Sequence, residues 1–164
     1  MQVTIYNAPD PTIPDFRFNH VNLFLAGGIS NCPDWQSEVS ENLKKRINKI
    51  EAQQHLNVFN PRREGFILSD SSVAVEQIEW EHQRLMRCSN VLFWFPCETL
   101  CPITLFELGK MLGLGNVNLF IGIHPNYQRK LDVEVQVKLL LPNKKISYSL
   151  NDLIDSTVEY ISHA

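Results

Sequence analysis

The chain has 164 residues, 44% of them hydrophobic and 20% charged, with a formal net charge of −3. This composition excludes a disordered chain, and at this length it allows one domain whose core needs no disulfide or metal staple. Lys and Arg are not massed into a stripe for a nucleic-acid polymer, and no apolar run approaches the roughly 20 residues of a membrane span.

Residues 1–20 read as an irregular lead-in, because Pro9, Pro11 and Pro14 crowd together and proline suits neither a helix interior nor a sheet centre. Met1 to Asp10 holds no basic residue and no apolar core, so no signal peptide is expected there. Residues 21–164 are expected to form a single domain. Val21 to Ala26 is a short apolar strand that runs directly into Gly27-Gly28. Asp34 is a good N-cap for a helix from Trp35 to Glu51, with Val39, Leu43, Ile47 and Ile50 at helical spacing. His55 to Phe59 is a second strand, followed by a loop over residues 60–73 with Arg62, Arg63 and Gly65. A helix from Val73 to Cys88 leads into Asn90 to Phe95, a near-continuous apolar strand of the kind buried in a parallel sheet. A helix over Ile103 to Gly113, a strand over Val117 to Ile123 and a loop and helix over Asn126 to Leu141 come next. Ile146 to Tyr148 is a last strand, and Ser149 caps a helix ending near Ile161.

Strands alternating with helices of this length imply a parallel sheet covered on both faces. The expected architecture is α/β, a flavodoxin-like three-layer sandwich whose five-stranded sheet has the order 2-1-3-4-5. Ligands of such sheets sit at the carboxyl ends of the strands, near the switch between strands 1 and 3.

Several residues there could carry chemistry. Gly27 and Gly28 either let the backbone approach a ligand or merely make a turn at positive φ. Glu107 sits about one turn into the third helix, where the positive helix end would favour its ionised form, as a carboxylate nucleophile requires. Leu108 and Gly109 would let that helix pack closely on the sheet. Glu76, Glu79 and Glu81 lie on the second helix with Trp80 and His82. One of these carboxylates could aim at the site, or all could face solvent. Arg62 and Arg63 suit a phosphate or carboxylate, or else pair with Glu64 or Asp70. His124, Tyr127, Arg129, Asp132 and Gln136 form either a second polar wall or a solvated helix. Cys32, Cys88, Cys97 and Cys101 match no zinc spacing and read as reduced thiols of a cytoplasmic protein. No metal or cofactor is expected.

Four segments resemble the nucleoside 2-deoxyribosyltransferase family. They are Leu23-Phe24-Leu25-Ala26-Gly27-Gly28-Ile29, Asn60-Pro61-Arg62-Arg63, the Glu79-Trp80-Glu81 helix before Asn90 to Pro96, and Pro102 to Gly109. The likeness spans about residues 21 to 160, and is nearer to the deoxyribosyltransferase-like branch than to the characterised transferases. It implies cleavage of the N-glycosidic bond of a 2-deoxynucleoside or its 5′-monophosphate. Glu107 would attack C1′ through an oxocarbenium-like transition state to form a glycosyl-enzyme, and a second base or water would take the sugar. Glu81 would stand for one of the family's aspartates. The implied substrate-binding residues are Phe24, Ala26, Gly27, Gly28, Arg62, Arg63, Trp80, Pro96, Cys101, Thr104, His124 and Asp132. The implied partners are a nucleoside or nucleotide and further copies of the chain, with Asp132 near a position that one subunit lends to another. Two positions depart from the family: Cys101 replaces an aspartate that assists at the base, and Phe24 replaces a tyrosine that steers the nucleophile. A non-catalytic nucleotide-binding module on the same fold is the alternative, followed by a scaffold acting through protein contacts.

Overall fold

The structure, a computed structural model, describes residues 1–12, 14, 20–50, 54–63 and 71–163. The described residues form six strands and five helices, which alternate from the second strand onward. They run as β1 (Gln2–Asn7), β2 (His20–Gly27), α1 (Trp35–Ile47), β3 (His55–Asn60), α2 (Ser71–Arg87), β4 (Asn90–Phe95), α3 (Pro102–Leu114), β5 (Asn118–Ile123), α4 (Lys130–Leu140), β6 (Ile146–Ser147) and α5 (Leu150–Ser162). All strand pairings are parallel, and the strand order is β1-β3-β2-β4-β5-β6.

The pleat divides the core. Leu23, Leu25, Leu56, Val58, Leu92 and Trp94 point to one face, against Trp35, Val39, Leu43 and Ile47 of α1 and Leu153, Ile154 and Ile161 of α5. Phe24, Ala26, Phe59, Val91, Phe93 and Phe95 point to the other face, against residues of α2, α3 and α4 such as Trp80, Leu108 and Val133. Strand β4 is buried at all six positions, which explains its unbroken apolar sequence.

The helices begin and end where their residues dictate. Asp34 accepts from the Ser37 N–H at 3.0 Å and Ser149 from that of Asp152 at 3.1 Å. Pro102 occupies the first turn of α3, and Gly115, at φ 70°, ends it. Among the described residues, no helix is long and apolar enough to cross a membrane.

Two expectations about the fold are corrected. The sheet has six strands rather than five in the order 2-1-3-4-5, because Gln2–Asn7, read as part of an irregular lead-in, pairs along its whole length with β3. The prolines that suggested irregularity follow this strand and do not interrupt it. The segment beyond is pinned to α2: the Trp80 indole N–H donates to the Asp10 carbonyl at 2.7 Å, and Arg84 donates to the carbonyls of Asp10 and Thr12. Helix α1 ends at Ile47, not Glu51, with a turn following over 48–50.

Candidate functional site

A cavity of about 600 Å³ opens at the carboxyl ends of β2 and β3 and runs between α2 and α3. Its floor is Phe24, Ala26, Gly27 and Gly28. Pro61 and Arg63 close one end, Gln77, Glu81 and His82 come from α2, and Thr99, Cys101, Thr104, Glu107 and Lys110 come from the 96–101 loop and α3.

The paired glycines are required by close packing. Neither has positive φ, so the turn at positive φ is not what they supply. A Cβ on Gly27 would collide with the Trp35 ring and the Trp94 carbonyl. A Cβ on Gly28 would come within 2.8 Å of Pro96 Cγ and Thr99 Cγ2, and 3.0 Å of Cys101 Sγ. The Gly28 carbonyl accepts from the Trp35 indole N–H at 2.8 Å and from the Gln36 amide at 3.2 Å, so the first turn of α1 holds the loop.

Cys101 precedes α3 in the left-handed region, at φ 48° and ψ 51°, a conformation that costs a non-glycine residue about 1–3 kcal/mol. This is backbone strain at the cavity wall. It turns the chain from the 96–101 loop into the helix, and the Tyr127 hydroxyl donates to the Leu100 carbonyl at 2.7 Å to hold the loop. Burial pushes the Cys101 thiol up to about 12, so at neutral pH it is a thiol and not a thiolate.

Glu81 and Glu107 share the cavity wall, and their electrostatics differ from the expectation. Glu107 is the sixth residue of α3, past the first turn where the helix dipole acts most strongly. Burial first, and then the negative charge of Glu81, push it up to about 8, against the opposing pull of Lys110. Both effects favour the protonated form of Glu107 in the free protein. Burial also raises Glu81, while a hydrogen bond from Gln77 lowers it. Two carboxyls in one partly dehydrated cavity retain a proton between them.

Phe24, Ala26, Gly27, Gly28, Glu81, Arg63, Cys101, Thr104 and Glu107 thus line one cavity. Arg63 does so while paired with Glu76 at 2.6 Å. Pro96 lies just behind, against Gly28. Others lie elsewhere. Arg62 is bound to Asp34 at 3.0 Å, to Gln36 and to the Pro33 carbonyl, and so clamps the start of α1. Trp80 is buried against Phe59 and the 8–12 segment. His124 stacks edge-on to Trp94 and accepts from the Asn126 N–H. Asp132 is exposed and pairs with Arg129. Glu64, Gly65 and Asp70 lie outside the described residues. Leu108 packs on the sheet, but Gly109 faces open space and allows no closer approach.

Gln77 and Lys110 were not foreseen. Helical spacing could have found both, since Gln77 lies four residues before Glu81 and Lys110 three after Glu107. Lys110 donates to His82 Nδ1 at 3.2 Å. Among the described residues, no group of three or more His, Cys, Asp or Glu side chains is gathered to hold a metal ion.

The fold and cavity define an α/β protein with a carboxyl pair at the strand ends. A family model described as nucleoside 2-deoxyribosyltransferase like matches residues 20–127, and the chain belongs to that family. This associates it with nucleoside-modifying enzymes. No curated protein matches the chain.

Proposed function

We propose that the protein cleaves the N-glycosidic bond of a 2-deoxynucleoside or its 5′-monophosphate, or transfers the sugar, with Glu107 as nucleophile. The observation that carries this reading is the pair of carboxyls, Glu107 and Glu81, in one cavity beside the close-packed Gly27-Gly28.

Such a cleavage needs one anion to attack C1′ and one proton to leave with the base. A carboxyl pair holding one proton supplies both. With the proton on Glu81, the Glu107 carboxylate forms a bond to C1′ as the C1′–N bond breaks. The bonding pair departs with the base nitrogen, and the Glu81 proton neutralises the base. Water or a second base then attacks C1′ and gives up a proton to the Glu81 carboxylate, and Glu107 leaves as carboxylate. Cys101 and Phe24 can contribute packing and a weak thiol donor, but no charge. Arg63 supports tolerance of a phosphate, with Glu76 as the group a phosphate would displace.

Mass spectrometry tests this reading. Quenching during turnover should show one deoxyribosyl group added, mapped to the peptide that contains Glu107, and none in Glu107→Ala. The binding module remains a second reading, favoured by the neutral resting state of Glu107 and by the lack of a carboxylate at Cys101. It predicts nucleotide binding with no adduct and no released base.

The reading includes association of like chains. Leu131, Val135 and Leu139 recur every four residues and are exposed on α4 beside Asp132, an apolar stripe suited to a partner surface. Sedimentation equilibrium should show an oligomer that Val135→Glu weakens.

A further inference from the structure

Gln77 is buried on α2, with 5% of its surface exposed. Its side-chain nitrogen donates to the Pro61 carbonyl at 2.7 Å and to Glu81 Oε1 at 2.8 Å. The Pro61 carbonyl can only accept, so it decides which end of the Gln77 amide is nitrogen. Pro61 is also the residue after β3, so this bond ties the strand end to α2. One N–H is used there, and the other is left to face Glu81. Among the described residues the buried Gln77 Oε1 has no hydrogen-bond partner, and the amide is held through its donors.

The consequence falls on Glu81. An oxygen that accepts an N–H bond is the poorer place for a proton, so a proton on Glu81 sits on Oε2. We propose that Gln77 is a positioning residue that fixes the Glu81 carboxyl, with Oε1 committed to the amide and Oε2 presented to the ligand. The assignment of Oε2 as the oxygen that gives its proton to a departing base rests on the function proposed above. The lock on Glu81 does not.

The groups around Glu81 are Gln77 and His82 on its own helix, Glu107 and Lys110 on α3, and Arg63, already paired with Glu76, after β3. Gln77 is the one that donates to the Glu81 carboxylate among the described residues. Its donation favours the charged form of Glu81. In the free protein the shared proton is therefore biased toward Glu107. For the proposed chemistry it must move to Glu81, and Gln77 determines the oxygen it reaches.

The test is a carboxyl-carbon NMR titration of the ligand-free protein labelled at glutamate, with Glu81→Gln and Glu107→Gln spectra giving the assignments. In Gln77→Met, which keeps the length and loses both donors, the midpoint of Glu81 should rise by about one pH unit. An unchanged midpoint in a folded Gln77→Met protein overturns the proposal. If that variant does not fold, the wild type still decides: the side-chain N–H signals of Gln77 should titrate with the midpoint of Glu81, and signals indifferent to it overturn the proposal. Turnover is read separately. A shifted Glu81 with no base release by wild type upholds the lock and sinks the enzymatic reading. Base release whose acid limb stays fixed in Gln77→Met overturns the role of Gln77 in the reaction.

Discussion

Glu107 has little water around it and a second carboxyl near it, and both conditions favour its neutral form. Its folded value of about 8 lies above the ordinary 4.5, so the folded state binds an extra proton between those two values. Stability from this group is therefore fully present below about 4.5 and declines as pH rises through about 8. Glu107→Gln should remove this dependence and raise stability at pH above 8 by on the order of 2 kcal/mol, allowing for screening at a half-buried carboxyl. Urea unfolding at several pH values would show it, and parallel wild-type and variant curves would contradict it. Cysteine chemistry gives a second check. Burial raises Cys88 and Cys101 well above the ordinary thiol range, and both are nearly inaccessible. Brief iodoacetamide treatment of the folded protein should modify Cys32 and Cys97 before either of them, as peptide mapping would show. At this scale, the sequence pointed to residues that line the cavity but not to their state. Glu107 was legible from its place after a strand and loop. Its protonation was not, because that depends first on burial in the folded cavity and then on Glu81, a residue of another helix. Arg62 and Arg63 read alike in sequence, yet one clamps α1 and the other lines the cavity.

The 96–101 loop and the first turn of α3 depend on a contact with the end of β2. Gly28→Ala would press a methyl group against Pro96, Thr99 and Cys101, a wall that already holds Cys101 in a strained conformation. We expect a loss of about 1–3 kcal/mol, measured by thermal or urea unfolding. Unchanged stability would mean that the loop yields readily. Helix α1 offers a companion test. Asp34→Ala removes both the cap on Ser37 and one of the three groups that hold Arg62, and should cost about 1 kcal/mol or somewhat more. The helices and inner strands were legible because their apolar spacing is regular and their caps are explicit. Strand β1 was not. Among the described residues it is an edge strand paired on one side only, so its short alternation carries little signal, and prolines follow it closely. Likewise α1 stops at Ile47 although Ile50 continues the apolar spacing.

Across the whole molecule, the two ends of the sheet differ in character. At the amino ends, Asn57, Asn22, Asn90 and Asn118 link neighbouring strands through their amides. At the carboxyl ends, the glycine turn and two helices leave the cavity with its carboxyl pair. Sequence pattern located that end of the fold, whereas the depth of the cavity depends on how α2 and α3 lie together. If the one-proton pair is the reacting form, the rate should fall in acid, when both carboxyls are protonated. It should fall again above about 8, when the proton for the base is gone. A pH profile of base release with one limb only would contradict this part of the account.

The most direct measurement follows free base and new nucleoside by chromatography. Wild type and Glu107→Ala would be incubated with a panel of 2-deoxynucleosides and their 5′-monophosphates, with and without a second base. Base release by wild type should vanish in Glu107→Ala, with any dependence on the added base separating transfer from hydrolysis. No turnover by the folded wild type on any member of the panel, or release undiminished in the variant, would contradict it.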